Sequence, residues 1–283
     1  MLDSLSMDFC LTSKGVILEF TDEDVHNGLA PLLSYPRLKI AESEFFLSVE
    51  KVASYHVRNG KRVFICPHEG SDLASIRLFL NGSVLGAVLH QQGILPFHGS
   101  SFKYGNKGVL ICGHSGTGKS SVTAALCQNG GQFINDDITP VRISDTATNI
   151  IPIKTRIKLW DDSFQKIKIE NKGLEKIRPM LNKFYLPEQE LFPYEQQLTH
   201  LFLLNTHQQD EFVVNELTGM AKYNMLRRQI YRKVYLKGMP ETEKKYFKQL
   251  FQLAAKVKVT QVVRPQICDI YETMRIIEKE INR

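Results

Sequence analysis

The sequence predicts a mixed α/β fold: a sheet of parallel and antiparallel strands with helices beside it, preceded by a small β-rich domain. Three observations point there. Residues 5–66 break into short β-branched or aromatic runs (SMDFCLTS, GVILEF, SEFFLSVE, VASYHV, KRVFICP) separated by turn residues. Residues 108–127 read as strand, glycine loop, helix. Beyond residue 93, strands and helices follow one another without strict β-α-β alternation.

The elements fall in this order. A soft boundary in CPHEGSD, residues 66–72, separates a β-rich accessory domain, residues 1–70, from a larger domain, residues 71–283. The first is close to the lower size limit for independent stability, and its position suggests substrate recognition. Helices are predicted at 72–80 and 83–92, then strands at 93–104. Val109–Cys112 is a buried parallel strand and Ser120–Cys127 a helix. Strands follow at Gln132–Asn135 and Ile138–Ile143, with extended runs at 149–153 and 156–160. Helical pieces at 161–165 and 172–182 precede the apolar strand Leu198–Leu204 and β content at 212–216. Helices at 218–234, 241–256 and 268–282, with strand Val257–Val263 between the last two, complete the chain.

The loop GHSGTGKS, Gly113–Ser120, fits G-x-x-x-x-G-K-[ST] at every fixed position. Glycines let successive backbone N–H groups turn onto phosphate oxygens, and the following helix presents its positive end. Gly113, His114, Ser115, Gly116, Thr117, Gly118, Lys119, Ser120 and Ser121 are therefore the expected nucleotide-binding residues. Lys119 is expected at the β- and γ-phosphates, and Ser120 on Mg²⁺.

Composition narrows the classes. At 283 residues, 43% hydrophobic and 23% charged, the chain suits a soluble protein with a real core. The N-terminus lacks a basic start followed by a long apolar run, and no stretch approaches ~18 consecutive apolar residues. Neither secretion nor a membrane partner is expected. The 5 cysteines are scattered without a C-x-x-C pair, which fits a reducing compartment and a cytoplasmic address. Net charge is +6, with the basic excess lying from Lys154 onward. Because those bases are interleaved with acids, solvated helix faces explain them better than a nucleic-acid partner.

A second signal is the acid pair Asp136-Asp137 at the end of a short apolar strand. A strand beside the loop strand commonly carries a carboxylate toward Mg²⁺. Adjacent strand residues point opposite ways, so two carboxylates there can take two jobs, one on metal and one accepting a proton. His98, in PFHGSS, sits between Pro96 and Gly99 at a strand end from which it could reach phosphate charge or tune the neighbouring acid.

His98-Gly99-Ser100, then GVLICGHSGTGKSS, then the strand ending INDD, resemble the catalytic core of the HPr kinase/phosphorylase family. They resemble more closely its shorter serine-kinase relatives found with peptide-modification systems, as does PIKTRIKLW, residues 152–160. The resemblance spans residues 85–283 and is strongest over 97–160. It implies a P-loop kinase core of the HPr kinase/phosphoenolpyruvate carboxykinase type, using ATP and Mg²⁺ to phosphorylate a hydroxyl. The acceptor it implies is a serine on a peptide or small protein. It also implies Asp136 as proton acceptor, Lys119 as phosphate-stabilising cation, His98 as active-site histidine and Ser120 as a metal ligand. Two features depart from the family: Ser121 stands where bifunctional members carry Glu, and their downstream glycine-rich segment with a metal-binding Glu has no counterpart. Asp137 is therefore taken as the second metal ligand. Homo-oligomers occur among HPr kinase relatives, and the shorter ones need not form them.

Lys154, Arg156 and Lys158 share a face on an extended run and suit either anion binding or a charged edge strand. Arg227, Arg228 and Arg232 are further candidates for contact, Arg264 reads mainly as a turn residue, and Trp160 reads as core. Two rival functions remain: a nucleotide-sensing regulator without turnover, and a small-molecule kinase.

Overall fold

The computed structural model describes residues 9, 15–22, 30–153, 155–170, 173–177, 182–186 and 191–283. Lys154 and, apart from Phe9, the first predicted strand (6–13) lie outside the described residues. The chain forms two compact units: Met1–Pro96 with Tyr231–Lys248, and Phe97–Ile230 with Gln249–Arg283.

The first unit carries a six-stranded sheet in the order β1-β6-β5-β4-β3-β2: β1 (Ile17–Phe20), β2 (Leu33–Tyr35), β3 (Leu38–Ile40), β4 (Glu44–Val49), β5 (Ala53–Arg58) and β6 (Arg62–Pro67). Only the β1–β6 pairing is parallel among those described. The β5–β6 hairpin turns at Asn59-Gly60, both left-handed (φ 54° and 62°), as the twist of a tight hairpin requires.

The sequence predicts two helices after this sheet. The structure instead joins α1 (Leu73–Phe79) and α2 (Leu85–Gln91) through a π-helical turn at Leu80–Val84. Asp72 caps the start, accepting from the Ser75 N–H at 2.8 Å. By length and composition the run Leu73–Gln91 could cross a membrane, yet 61% of its apolar window is buried in the fold, as in a core helix. Its attachment to the sheet explains why the unit extends to Pro96 rather than ending at residue 70. The Tyr55 hydroxyl donates to the Ile76 carbonyl at 3.0 Å, and the Gln92 amide to the Gly60 carbonyl at 2.7 Å. The later segment joins through Glu42, which accepts from the Thr242 N–H at 2.8 Å, and through the Tyr246 hydroxyl, which donates to the Ile94 carbonyl at 2.8 Å.

The second unit is a mixed α/β domain. Its sheet runs β11-β10-β7-β8-β14-β16-β15, with β9 beside β7. The strands are β7 (Leu95–Tyr104, which enters from the first unit), β8 (Lys107–Cys112), β9 (Gln132–Asn135), β10 (Ile138–Ile143), β11 (Thr148–Ile150), β14 (Gln196–His207), β15 (Val213–Glu216) and β16 (Lys258–Pro265). β8, β14 and β16 are mutually parallel neighbours, and the other recorded pairs in this sheet are antiparallel. Because β11 also pairs with β14, five strands close on themselves. β12 (Lys158–Trp160) and β13 (Lys183–Tyr185) form a separate two-stranded sheet. Two helices, α3 (Lys119–Gln128) and α7 (Ile270–Asn282), bury Val122, Leu126, Ile277 and Ile281 in one core with Val109, Ile111 and Phe202. Between β12 and β13 lies α4 (Asp161–Lys166). The helix expected over 172–182 is absent from its described residues, 173–177 and 182. There Gly173 is left-handed (φ 83°) and Lys176 bridges to Phe184.

α5 (Gly219–Arg228) is shorter than the expected 218–234. It gives way to a 3-10 turn at Lys233–Gly238, where Arg232 takes φ 51°. α6 (Pro240–Lys256) follows.

Candidate functional site

β8 ends in the Gly113–Ser120 loop, which feeds directly into α3. Gly113, Gly116 and Gly118 all have positive φ (148°, 85° and 94°), which L side chains rarely adopt. At Gly113 a side chain is excluded twice, since a Cβ would lie 2.2 Å from the Leu204 carbonyl oxygen on β14. The Thr117 hydroxyl donates to the His114 carbonyl at 2.9 Å and tightens the loop.

Lys119 is 8% exposed and folds back over the loop, donating to the Gly113 and His114 carbonyls, each at 3.0 Å. Burial holds its ammonium below the usual lysine value, against the pull of Cys112, Asp136 and Asp137. Those two carbonyls occupy a cation that is otherwise aimed at the cleft.

Asp136 directly follows β9 and is 2% exposed. Its Oδ1 accepts from the Ser120 hydroxyl at 2.9 Å and from the Ser100 hydroxyl, and its Oδ2 accepts from the Lys158 N–H at 2.9 Å. The segment that supplies Lys158 is pinned to β9 by Asn135. That side chain accepts from the Ile153 N–H at 2.8 Å and donates to the Ile151 carbonyl at 3.0 Å. The acid strand and the basic run are thus fixed in register by one buried amide.

Asp137 sits in a different setting. Its φ is 72°, and the Ile138 N–H donates to the Asp136 carbonyl at 2.9 Å, so the chain makes a γ-turn there. The turn sends the side chain away from its neighbour's bonding network. Its carboxylate lies 3.5 Å from His98 Nδ1 and 3.5 Å from Lys158 Nζ, and remains 38% exposed. Burial raises this carboxyl, but Lys158, His98 and Lys183 outweigh it and hold the group below the usual aspartate value. His98 also meets the Asp137 carbonyl at 3.0 Å. Burial and then the Lys119 ammonium hold its ring below the usual histidine value, against Asp137, so it is neutral at pH 7.

One cleft brings together His98, Ser115, Gly116, Lys119, Asp136 and Asp137 with Gly118, Ser120 and Ser121. Gly113, His114 and Thr117 belong to the same loop without lining the cleft. Asp136 and Asp137 thus share it with Lys119.

Of the basic candidates, Lys158 lines the cleft. Arg156 instead donates to Glu175 at 2.7 Å and stacks 4.4 Å from the centre of the Tyr185 ring. Arg227, Arg228 and Arg232 do not line it, and Arg232 donates to the Ser83 hydroxyl at 2.9 Å.

Two residues read otherwise from sequence do line the cleft. Arg264, at the end of β16, is 8% exposed and donates through Nε and Nη2 to the Thr117 carbonyl at 3.1 and 3.0 Å. Its clue lay in the parallel strand before it, since the carboxyl ends of such strands face the ligand crevice. Trp160 is 44% exposed rather than core, and Lys183 joins it across the β12–β13 pair. For Lys183 no sequence signal existed.

Among the described residues no group of three or more His, Cys, Asp or Glu side chains is arranged to hold a metal. The Ser120–Asp136 oxygen pair nonetheless suits Mg²⁺, which takes oxygen ligands and often only one or two from protein beside substrate phosphates.

No family model matches the sequence, and no curated protein matches it. Among solved structures the chain is similar to the HPr(Ser) kinase/phosphatase from Coxiella burnetii. The two are 12% identical, the match covers 66% of this chain and 88% of that one, and the TM-score is 0.35. A likeness that distant carries no argument about function, which rests on the geometry above.

Proposed function

We propose that this chain is a kinase that uses ATP and Mg²⁺ to phosphorylate a hydroxyl, in particular a serine of a peptide or small protein. The observation that carries the reading is the pairing of Ser120 with Asp136 at 2.9 Å, in one cleft with Lys119 and with a second, differently bonded carboxylate. In this reading the backbone N–H groups of the Gly113–Ser120 loop cradle the phosphates. Lys119 exchanges its two loop carbonyls for phosphate oxygens. Ser120 and Asp136 hold Mg²⁺, which supplies neutralisation of charge on the transferring group.

The roles expected for the two aspartates are exchanged. Asp136 is buried, and its oxygens already accept three protein hydrogen bonds, which favours a fixed ligand over a mobile proton acceptor. Asp137 is ionised, accessible and oriented by His98 and Lys158, which favours it as the base. The acceptor oxygen attacks the γ-phosphorus, its proton passes to Asp137, and the bond to the bridging oxygen of ADP breaks. Lys119 and Lys158 offset the charge that develops.

A sensor that binds without turnover needs no base, and the left-handed backbone at Asp137 is the kind of local strain kept where chemistry uses it. A cytoplasmic address agrees with the free thiols of Cys66, Cys112, Cys127 and Cys268.

Incubation with γ-labelled ATP, Mg²⁺ and cell extract tests the proposal. Label should appear on serine of one peptide or small protein. Nucleotide binding with neither transfer nor hydrolysis would favour the sensor, and label confined to a metabolite would favour the small-molecule kinase.

A further inference from the structure

We infer that Trp160 is the platform on which the base of the bound nucleotide stacks. This rests on the nucleotide-binding reading and adds a subsite to it. Trp160 is the chain's only tryptophan, it is 44% exposed, and it lines the same cleft as the glycine loop. Among the described residues this large ring stays open inside a polar cleft, and planar bases suit such rings. The Lys183 ammonium lies 5.6 Å from the ring centre, so the ring already meets a cation, which can turn toward phosphate when a base arrives.

Position decides between a base and a group on the acceptor. Lys158 and Trp160 are two apart on β12 and share a face. Lys158 is tied to Asp137, so the phosphoryl-transfer end of the cleft lies at that residue. Trp160 is about 7 Å further along the strand, where the chain enters α4. That helix is joined to α7 by the Tyr271 hydroxyl, which donates to the Ile167 carbonyl at 3.1 Å. Ile270, at the start of α7, and Ser121, in the first turn of α3, also line the cleft. An acceptor hydroxyl must reach Asp137 and His98. β12, which carries the ring, packs against α3, the helix that receives the phosphates, so the ring is placed for the nucleotide's base rather than for the acceptor.

Because the chain has a single tryptophan, its emission reports this site alone. The full-length protein is titrated with MgADP and, separately, with magnesium tripolyphosphate, following emission and heat together. MgADP should change the emission saturably, at the dissociation constant that calorimetry gives, while tripolyphosphate binds with little change. Trp160→Ala should weaken ADP binding by roughly tenfold to a hundredfold and leave tripolyphosphate affinity unaltered, and Trp160→Phe should keep most of it. ADP binding without an emission change, an equal change with tripolyphosphate, or equal losses for both ligands in Trp160→Ala would overturn the inference while leaving the loop assignment intact. If neither ligand binds, the loop assignment fails and the platform fails with it.

Discussion

The two units bury polar side chains for opposite ends. In the first, His90 is fully buried, and both ring nitrogens are matched, to the Tyr246 hydroxyl at 3.2 Å and the Tyr231 carbonyl at 2.9 Å. Burial drives its pKa down to about 4, so the ring is a neutral spacer with a complete set of partners. In the second, Lys119, Asp136 and Arg264 are nearly as buried, yet they surround a cleft that also holds a half-exposed carboxylate. Burial alone therefore does not mark a site. What marks it is buried charge whose partners are loop carbonyls and hydroxyls that a ligand can replace.

The comparison breaks most visibly at Lys119. Lys119→Ala should cut phosphoryl transfer by on the order of 10³-fold or more and weaken ADP binding as measured by calorimetry. Unchanged binding would mean that this lysine is as structural as His90.

Next come the paired aspartates. Asp137→Asn should lower transfer by roughly 10²- to 10³-fold with ADP affinity within a few-fold of the parent. Asp136→Asn should instead raise the Mg²⁺ concentration needed for half-maximal activity. The opposite pattern would restore Asp136 as the base.

The first unit can be tested through stability. Because the folded pKa of His90 is below that of the unfolded chain, the unfolded state takes up a proton first as pH falls. The stability tied to this neutral ring is fully present above pH ~6.5 and is lost progressively toward pH 4, by about 3 kcal/mol. Urea titrations of the parent and of His90→Gln should show a shallower decline for the variant over that window. Parallel curves would show that His90 does not carry the effect.

The smallest expected change is at Arg264. Lysine cannot reproduce a two-nitrogen grip on the Thr117 carbonyl, so Arg264→Lys should weaken ADP binding by about tenfold with little change in unfolding temperature. A fall in unfolding temperature at unchanged ADP affinity would place Arg264 with the structural group.

Much of this was legible in the sequence, because local rules govern it. The loop strand, the loop and its helix follow from a glycine pattern that only one backbone path satisfies. The short strands Gln132–Asn135 and Ile138–Ile143 lie where the sequence predicts them. The Asn59-Gly60 turn lies between two of the predicted strands. The π-helical turn was hidden because Asn81-Gly82 reads as a break, yet burial of Leu80 and Val84 carries the helix through it. The Trp160 assignment failed because composition says how apolar a ring is and not which side of it is filled.

The sequence by itself determined that a glycine loop precedes a helix, that two acids follow at a strand end, and that a histidine lies upstream, since each depends on residues close along the chain. Only the tertiary structure decided how each acid is bonded and exposed. A single γ-turn separates a buried carboxylate bonded to Ser120 from an open one facing His98, and their partners come from strands and segments distant in sequence. The same holds for Arg264, Lys183 and the open face of Trp160: long-range strand pairing brings them to the cleft, and no local pattern encodes it.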